Sequence, residues 1–391
     1  MTDDQFTQAA NWDFPVPIKY GPGRLAEVGT LCAAAGCRKP MIVADRATAR
    51  LPFVDTLRGH LALAGLGHGT FSDVSPNPTD VEVVAGKAAF FAGGHDSIIA
   101  LGGGSGMDAG KAISVVLNSP RNLWDFDYNL TPPAELCKAD FVPLLCVPTT
   151  SGTGAETDST AMITDTRQGI KGCVWHPAQK PFAALLDPEL TIGLPHNLTA
   201  WTGCDALTHA IEAYVVPSFH PMCDGVALQA LGMIYRALPL ALESPASIPA
   251  RGAMQIGSCL AGVAFLKGLG MVHAISHMVG AEFDTQHGLT NAVLLPAVLR
   301  FNAPAIGPKV APMCQAMGLA ENDFETFYAA VSRLLDHCEI PRSLAEIGVT
   351  ADRIDSIAAK AMTDTAAGTT PRRFSLEEVK TVIETAMTHA R

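Results

Sequence analysis

Five side chains in the second half of the chain have the chemistry to bind a divalent metal ion. Asp205 and His209 are four residues apart in a segment rich in helix-forming residues, and His273 and His277 repeat that spacing. Side chains four residues apart on a helix project from the same face, one turn apart. His287 precedes a glycine that marks the end of an element. Imidazole and carboxylate groups together suit iron, zinc or manganese better than calcium or magnesium.

Either histidine-containing pair, taken alone, is more simply explained by packing or chance. Two such pairs, a fifth residue and a glycine-rich loop upstream reverse that judgement. The residue types and spacing therefore predict one metal site, with Asp205, His209, His273 and His287 as the side chains able to hold the ion.

The glycine-rich loop, GGGSGMD at 102–108, follows a strand-like run and opens a helix-like one. Glycines let the backbone approach a ligand closely, and the N–H groups at the start of the helix point at an anion such as a diphosphate. The motif is neither the usual dinucleotide fingerprint nor a P-loop, so a tight turn without a ligand remains an alternative. A second turn, PTTSGTGAE at 148–156, adds hydroxyls and glycines, and an ordinary capping turn explains it equally well.

Asp45 follows another strand-like run at 41–44. A carboxylate at this point of a nucleotide-binding sheet accepts hydrogen bonds from a ribose diol and repels a 2′-phosphate, which favours NAD over NADP. A helix N-cap is an equally good explanation of the same residue.

The elements that position these motifs change character along the chain. Short apolar runs at 41–44, 97–101 and 142–147 predict strands, and the segment 80–91 between two of them predicts a helix. Strands that alternate with helices indicate a doubly wound, mostly parallel sheet, which binds nucleotides at the carboxyl ends of its strands.

From about residue 190 the apolar residues recur at three- and four-residue intervals, as in packed amphipathic helices. The predicted helices are 199–214, 224–238, 251–262, 324–335 and 375–387. The expected architecture is an α/β domain over 1–189 followed by an all-α domain over 190–391, with the active site in the cleft between them.

Composition narrows the class of protein. A chain of 391 residues is too long for one hydrophobic core, and 48% hydrophobic with 17% charged residues is typical of a well-buried globular protein. The net charge of −11 argues against nucleic acid as a partner. The acidic, polar start does not resemble a secretory signal, and we expect no apolar run to reach membrane-spanning length. The ten cysteines form no C-x-x-C pair. We therefore expect a cytoplasmic protein without a nucleic-acid or membrane partner.

Taken together, the motifs resemble the iron-containing (group III) alcohol dehydrogenases over nearly the full length of the chain. The matching segments are 18–25, 77–79, 102–108, 148–156, 187–191, 203–212, 272–277 and 287–288. The resemblance implies a dehydroquinate-synthase-like architecture. The sequence departs from the family's usual pattern at Met278, Gln286 and 369–372. These departures leave the metal ligands intact but change residues near the expected substrate pocket.

The resemblance also implies roles for individual residues. Asp205, His209, His273 and His287 match the family's metal ligands, and His277 matches a histidine near substrate and nicotinamide. The positions around the dinucleotide are Asp45, Asn77, Gly103, Gly104, Ser105, Asp108, Thr149, Thr150, Thr153, Lys171 and Leu190. His277 is then the candidate catalytic proton relay, and orienting a metal ligand from outside the ligand set is an equally good alternative.

The activity that this resemblance implies is transfer of hydride between NAD(H) and a small alcohol or aldehyde. It implies one divalent metal, Fe²⁺ in the first place with Zn²⁺ as the alternative, and a homodimer or larger homo-oligomer. The competing hypotheses are a glycerol-type polyol dehydrogenase and a dehydroquinate-synthase-like lyase. A lyase of that kind needs basic residues for a phosphorylated substrate, and the metal motifs carry no such cluster.

Overall fold

The computed structural model describes residues 10–13 and 16–388 of the chain. The chain forms two compact units. The first comprises Met1–Thr150 and Ala155–Ile192, and the second comprises Ser151–Gly154 and Gly193–Arg391. The short segment Ser151–Gly154 therefore belongs to the second unit although the first unit continues on both sides of it.

The first unit is built on a seven-stranded sheet. Its strands are β1 (Ala10–Asp13), β2 (Pro17–Tyr20), β3 (Pro40–Val43), β4 (Gly69–Phe71), β5 (Ser97–Gly102), β6 (Leu144–Pro148) and β9 (Ala183–Leu186). They lie in the order β1-β2-β9-β6-β5-β3-β4, and only the edge strand β1 pairs antiparallel. Every residue of β3, β5, β6 and β9 is buried, as expected for parallel strands covered on both faces.

Helices and a hairpin complete the first unit. The helices are α1 (Val28–Ala34), α2 (Pro52–Leu63), α3 (Asp80–Gly93) and α4 (Gly104–Val116), and β7 (Thr160–Asp165) pairs antiparallel with β8 (Ile170–Trp175). The predictions at 41–44, 97–101, 142–147 and 80–91 are confirmed as β3, β5, β6 and α3. Thr79 and Glu82 start α3 with a capping box, which satisfies two N–H groups at the helix N-terminus.

The second unit is helical, and all nine described strands lie in the first unit. Its helices are α5 (His196–Val215), α6 (Pro221–Glu243), α7 (Ile248–Ala264), α8 (Met271–Phe283), α9 (His287–Met317), α10 (Phe324–His337), α11 (Ile354–Ala361) and α12 (Leu376–Met387). The five helices predicted in this region are confirmed, as is the α/β-then-helical fold class. Helix α5 is the centre of the unit: every residue from Thr202 to Val215 is buried, and it packs against α6, α7 and α9.

Two described helices, α6 and α9, are long and apolar enough to cross a membrane by length and composition alone. Helices α7 and α8, bent by 104° at their junction, pass the same test as a pair. The expectation that no apolar run reaches this length is therefore wrong. Inside the second unit, 56% of the most apolar window of α6 and 72% of that of α9 are buried, because both helices pack against α5 and against each other.

Candidate metal centre and cofactor-binding residues

Three helices of the second unit bring the four predicted metal ligands together. Asp205 and His209 lie one turn apart on α5, His273 lies on α8, and His287 is the first residue of α9. Each offers one ligand atom, and these atoms all lie within 4.8 Å of one another. The Nε2 atoms of the three histidines are 3.8, 4.0 and 3.7 Å from Asp205 Oδ1.

The chemistry of this donor set fits a divalent transition metal. Asp205, His209 and His273 are at most 4% exposed. Burial lowers the pKa of His209 to about 4, so its imidazole is neutral near pH 7, and the neutral ring is the form that binds a metal. One carboxylate and three neutral imidazoles leave a divalent ion with net positive charge, which suits iron or zinc.

Two of the rings are oriented through the nitrogen that faces away from the cluster. His209 Nδ1 lies 3.2 Å from the carbonyl oxygen of Gly152, and His273 Nδ1 lies 2.6 Å from Glu212 Oε2. Both Nδ1 atoms face acceptors, so the protonated Nδ1 tautomer is assigned, which leaves Nε2 with a lone pair. A glycine is needed at 152 because a Cβ there would lie 2.6 Å from the Cβ of Thr202 on α5.

Asn291, one turn after His287 on α9, is a further polar contact of the cluster. Its Nδ2 lies 2.7 Å from Asp205 Oδ1 and 3.1 Å from the Nε2 atoms of His273 and His287. The side chain is fully buried, and its Oδ1 has no hydrogen-bond partner among the described residues. An amide nitrogen has only two N–H groups, so three acceptors crowd it, as expected where lone pairs converge on an ion.

His277 borders the cluster without belonging to the ligand set. Its ring stacks on that of His287 with centroids 5.4 Å apart, and its Nδ1 lies 2.9 Å from Asp364 Oδ2. The other oxygen of Asp364 accepts a hydrogen bond from the backbone N–H of Ala366. The carboxylate is thus fixed by the backbone and fixes the imidazole in turn.

Sequence reasoning assigned no role at the metal centre to Asn291, Asp364 or Glu212. A signal existed for Glu212, because it stands three residues after His209 and seven after Asp205, on the same face of α5. Asn291 likewise stands four residues after His287. Asp364 gave no such signal, since 87 residues separate it from His277.

Most of the predicted dinucleotide-binding residues lie at one edge of the sheet in the first unit. Strands β9, β6, β5 and β3 are neighbours, so their carboxyl ends meet there. Asp45 follows β3, Thr149 and Thr150 follow β6, and Leu190 lies in the turn after β9. Gly103 is the N-cap of α4, Gly104 and Ser105 lie in the first turn of this helix, and Asp108 follows in the second turn. Asn77 precedes α3, Lys171 lies on β8, and Thr153 belongs to the segment Ser151–Gly154 of the second unit.

Close approaches explain the glycines at this edge. A Cβ on Gly102, which has a φ of +133°, would lie 3.3 Å from Asp45 Oδ2. A Cβ on Gly103 would lie 3.2 Å from Cγ2 of Thr150, whose buried hydroxyl has no partner among the described residues. Asp45 Oδ1 also accepts hydrogen bonds from the N–H groups of Ala47 and Thr48. Asp45 therefore caps the turn that follows β3 and at the same time lies beside the glycine loop.

Hydrogen bonds and ion pairs connect several of the predicted dinucleotide-binding residues to charged side chains. Lys171 Nζ donates to Asn77 Oδ1 at 3.2 Å. Asp108 lies 3.8 Å from the Nζ of Lys111, whose side chain is fully buried and pairs with Asp158 at 3.0 Å. Burial raises the pKa of Asp108 to about 6 even though Lys111 opposes that shift.

The departure at Gln286 has a structural role of its own. Its Oε1 accepts a hydrogen bond from the backbone N–H of Leu289 at 2.7 Å, so it is the N-cap of α9. Because His287 is the next residue, this cap fixes the start of the helix that carries a predicted metal ligand.

Comparison with known proteins shows that two adjoining family models match the chain. Residues 15–188 match the family model described as iron-containing alcohol dehydrogenase, and residues 199–387 match the C-terminal model of the same family. A NAD-dependent methanol dehydrogenase of Bacillus methanolicus is 34% identical over 384 residues, which cover 96% of this chain and 100% of that protein. A 1,3-propanediol dehydrogenase of Klebsiella pneumoniae is 34% identical, with coverage of 96% and 98%. A crystal structure of a 1,3-propanediol oxidoreductase superposes with a TM-score of 0.89 at 34% identity, over 97% of this chain and 100% of that chain.

Proposed function

Because this chain belongs to the iron-containing alcohol dehydrogenase family, we propose that it transfers hydride between NAD(H) and a small alcohol or aldehyde. The observation that carries the proposal is the buried convergence of Asp205, His209, His273 and His287. The similar proteins named for methanol and 1,3-propanediol support a small, neutral substrate.

Asp205, His209, His273 and His287 would hold the metal, Fe²⁺ in the first place and Zn²⁺ as the alternative. A divalent metal supplies Lewis acidity that polarises the oxygen of the alcohol or aldehyde, and the nicotinamide carries the hydride. The protein contributes the fixed orientation of the ligand rings through Gly152 and Glu212. Burial of the cluster excludes water, which strengthens electrostatic interactions there.

His277 is the proposed catalytic residue for the proton that accompanies hydride transfer. Asp364 holds its Nδ1, which leaves Nε2 to exchange a proton with substrate or water. The stacking of His277 on His287 puts that ring beside the ligand set.

The proposed dinucleotide site of the first unit comprises the residues at the carboxyl edge of its sheet, together with Asn77 and Lys171. Thr153, a residue of the second unit, is also implied by the resemblance. The N-terminus of α4, with Gly103, Gly104 and Ser105, supplies N–H groups for the diphosphate. Asp45 favours NAD over NADP, because its carboxylate repels a 2′-phosphate.

Replacing Asp45 tests this preference. Asp45→Ala should raise kcat/KM with NADP(H) relative to NAD(H), whereas Asp55→Ala, on the exposed face of α2, should leave the ratio unchanged. Initial rates with both cofactors measure the ratio. A wild-type protein that turns over faster with NADP(H) would refute the role of Asp45.

We also propose that the protein works in the cytoplasm as a homodimer or larger homo-oligomer, and that it binds neither nucleic acid nor a membrane. The acidic net charge of −11 supports the absence of a nucleic-acid partner. Light scattering coupled to size-exclusion chromatography tests the oligomeric state, and a monomer would contradict that part of the proposal.

The experiment that tests the function is NADH oxidation with a panel of small aldehydes, after anaerobic purification and reconstitution with ferrous iron. The reverse direction uses NAD with small alcohols and glycerol. We expect metal-dependent loss of NADH absorbance that a chelator abolishes and that ferrous iron restores. Bound metal and bound NADH without turnover of any aldehyde would favour the lyase hypothesis or a specialised acidic substrate.

A further inference from the structure

Glu212, at the C-terminal end of α5, has a buried carboxylate that accepts four hydrogen bonds from one short stretch of α8. The backbone N–H groups of Gly270, Val272 and His273 donate to it at 3.1, 2.8 and 3.4 Å, and His273 Nδ1 lies 2.6 Å from Oε2. Glu212 thus caps the start of α8 and contacts one side chain of the metal cluster.

The backbone at Gly270 leaves room for this carboxylate. A Cβ on Gly270 would lie 2.7 Å from Glu212 Oε1, closer than real Cβ atoms approach an oxygen. The φ of this glycine is −148°, so side-chain room rather than backbone conformation requires glycine here. The contact between Glu212 and α8 therefore depends on the residue type at 270.

We propose that Glu212 is the positioning residue that fixes His273 as the Nδ1-protonated tautomer and so presents its Nε2 lone pair to the metal. This role rests on the metal site of the proposed function. The affinity for the metal then depends on the carboxylate of Glu212, which is not itself one of the four proposed ligands.

The physical reason lies in the donors and acceptors that meet at this point. A neutral imidazole has one N–H, and an ionised carboxylate can only accept. Three backbone donors and the positive end of the α8 dipole stabilise negative charge at Glu212. The proton of His273 is therefore held on Nδ1, and the carboxylate makes Nε2 a more basic ligand.

Glu212→Gln tests the proposal with almost no change of shape. With its oxygen at the Oε1 position, a glutamine still accepts from the backbone N–H of Val272, while its amide nitrogen replaces the acceptor of Gly270 and His273 and donates toward His273 Nδ1. That donor favours a proton on Nε2, where it blocks metal binding. We expect the affinity for Zn²⁺ or Co²⁺ to fall about 10- to 100-fold, the effect typical of removing such a partner.

The matched control is Glu282→Gln in the same unit. Glu282 is also a largely buried carboxylate, with Arg353, Ser356 and Lys360 as its partners. This variant makes the same chemical change and removes a comparable charge, but its carboxylate does not contact a histidine of the cluster. Its metal affinity should equal that of the wild type.

Gly270→Ala is the second variant, because it changes neither the carboxylate nor the histidine. The added Cβ displaces the Glu212 carboxylate, so the metal affinity should fall in the same direction. If one of the two variants fails to fold, as circular dichroism would reveal, the other decides the question.

The measurement is a titration of the metal-free full-length protein with Zn²⁺ against a competing chelator, and with Co²⁺ by its visible absorption. Weaker binding by Glu212→Gln and Gly270→Ala, with wild-type binding by Glu282→Gln, supports the proposal. Wild-type affinity and an unchanged Co²⁺ spectrum in a folded Glu212→Gln or Gly270→Ala variant overturn it. A wild-type protein that binds neither ion overturns the metal site itself and this role with it.

Discussion

Three histidines at or beside the metal cluster have an Nδ1 atom that contacts an oxygen outside the proposed ligand set. His209 uses a carbonyl, His273 a carboxylate of α5 and His277 a carboxylate beyond α11. The four candidate ligands could be singled out from the sequence because the four-residue spacing of Asp205 with His209 and of His273 with His277 is visible there, and the structure brings the four ligand atoms within 4.8 Å of one another. The pairing of each ring with its acceptor could not be predicted, since 57, 61 and 87 residues separate the partners and only tertiary packing brings them together.

His273→Ala removes one of the four proposed ligands and should abolish both metal binding and turnover. Binding of NADH should persist, because the proposed dinucleotide residues other than Thr153 lie in the first unit. Elemental analysis and NADH fluorescence measure the two properties separately. His337→Ala, at a half-exposed position on α10, is the control and should behave as wild type. Full activity in His273→Ala would refute the ligand assignment.

Asp364→Asn should lower kcat at least about 10-fold, because an amide can donate to His277 Nδ1 and favour the wrong tautomer. Metal content should stay at the wild-type level, which separates a proton-transfer role from support of the ligands. Asp352→Asn, a change at an exposed aspartate of the same unit, should be neutral. Loss of metal from Asp364→Asn would instead favour His277 as a residue that orients a ligand.

Among the elements, helix α9 shows best what periodicity cannot predict. It runs for 31 residues with prolines at 296, 304, 308 and 312, each of which removes a backbone donor and disfavours the helix interior. Packing against α5, α6, α8 and α10 outweighs that cost. The sequence analysis also did not predict the hairpin of β7 and β8. In the structure, the residues of Thr160–Asp165 alternate between half-buried and buried, and Gly169, with a φ of +62°, lies in the turn.

The N-cap of α9 couples helix stability to the metal cluster. Gln286→Ala should cost about 1 kcal/mol in the free energy of unfolding and also weaken metal binding, because His287 is the adjacent residue. Ser375→Ala removes the cap of α12, which carries no ligand, and should cost stability alone. Urea unfolding and metal titration of both variants measure the difference. Equal metal affinity in the two variants would contradict the coupling.

At the scale of the whole molecule, one group of buried ionisable side chains in the first unit contributes to the pH dependence of the free energy of unfolding. Glu156, Asp158, Asp108 and Lys111 lie near one another in the first unit, and burial raises the pKa of Glu156 to about 7. A carboxyl group whose pKa is higher in the folded state binds its proton more tightly there than in the unfolded chain. The stability that this group contributes is therefore present at low pH and is lost as the pH rises from about 4.5 to about 7.

Glu156→Gln should remove that loss, because an amide does not ionise. Between pH 5 and 7.5, the free energy of unfolding should fall more in the wild type than in the variant, by an amount on the order of 3 kcal/mol. Thermal or urea unfolding at several pH values measures the difference. Parallel pH profiles would show that Glu156 keeps its ordinary titration in the folded protein.

The segment Ser151–Gly154 sets a condition on any attempt to exchange modules within this family. A chimera that takes only the residues after 192 from this protein would lack the carbonyl of Gly152, which contacts Nδ1 of His209. The other protein would have to supply a segment equivalent to Ser151–Gly154, with a glycine at 152 because a Cβ there would clash with Thr202. The second compact unit is thus not contiguous in sequence, and a chimera that omits Ser151–Gly154 should bind its metal poorly.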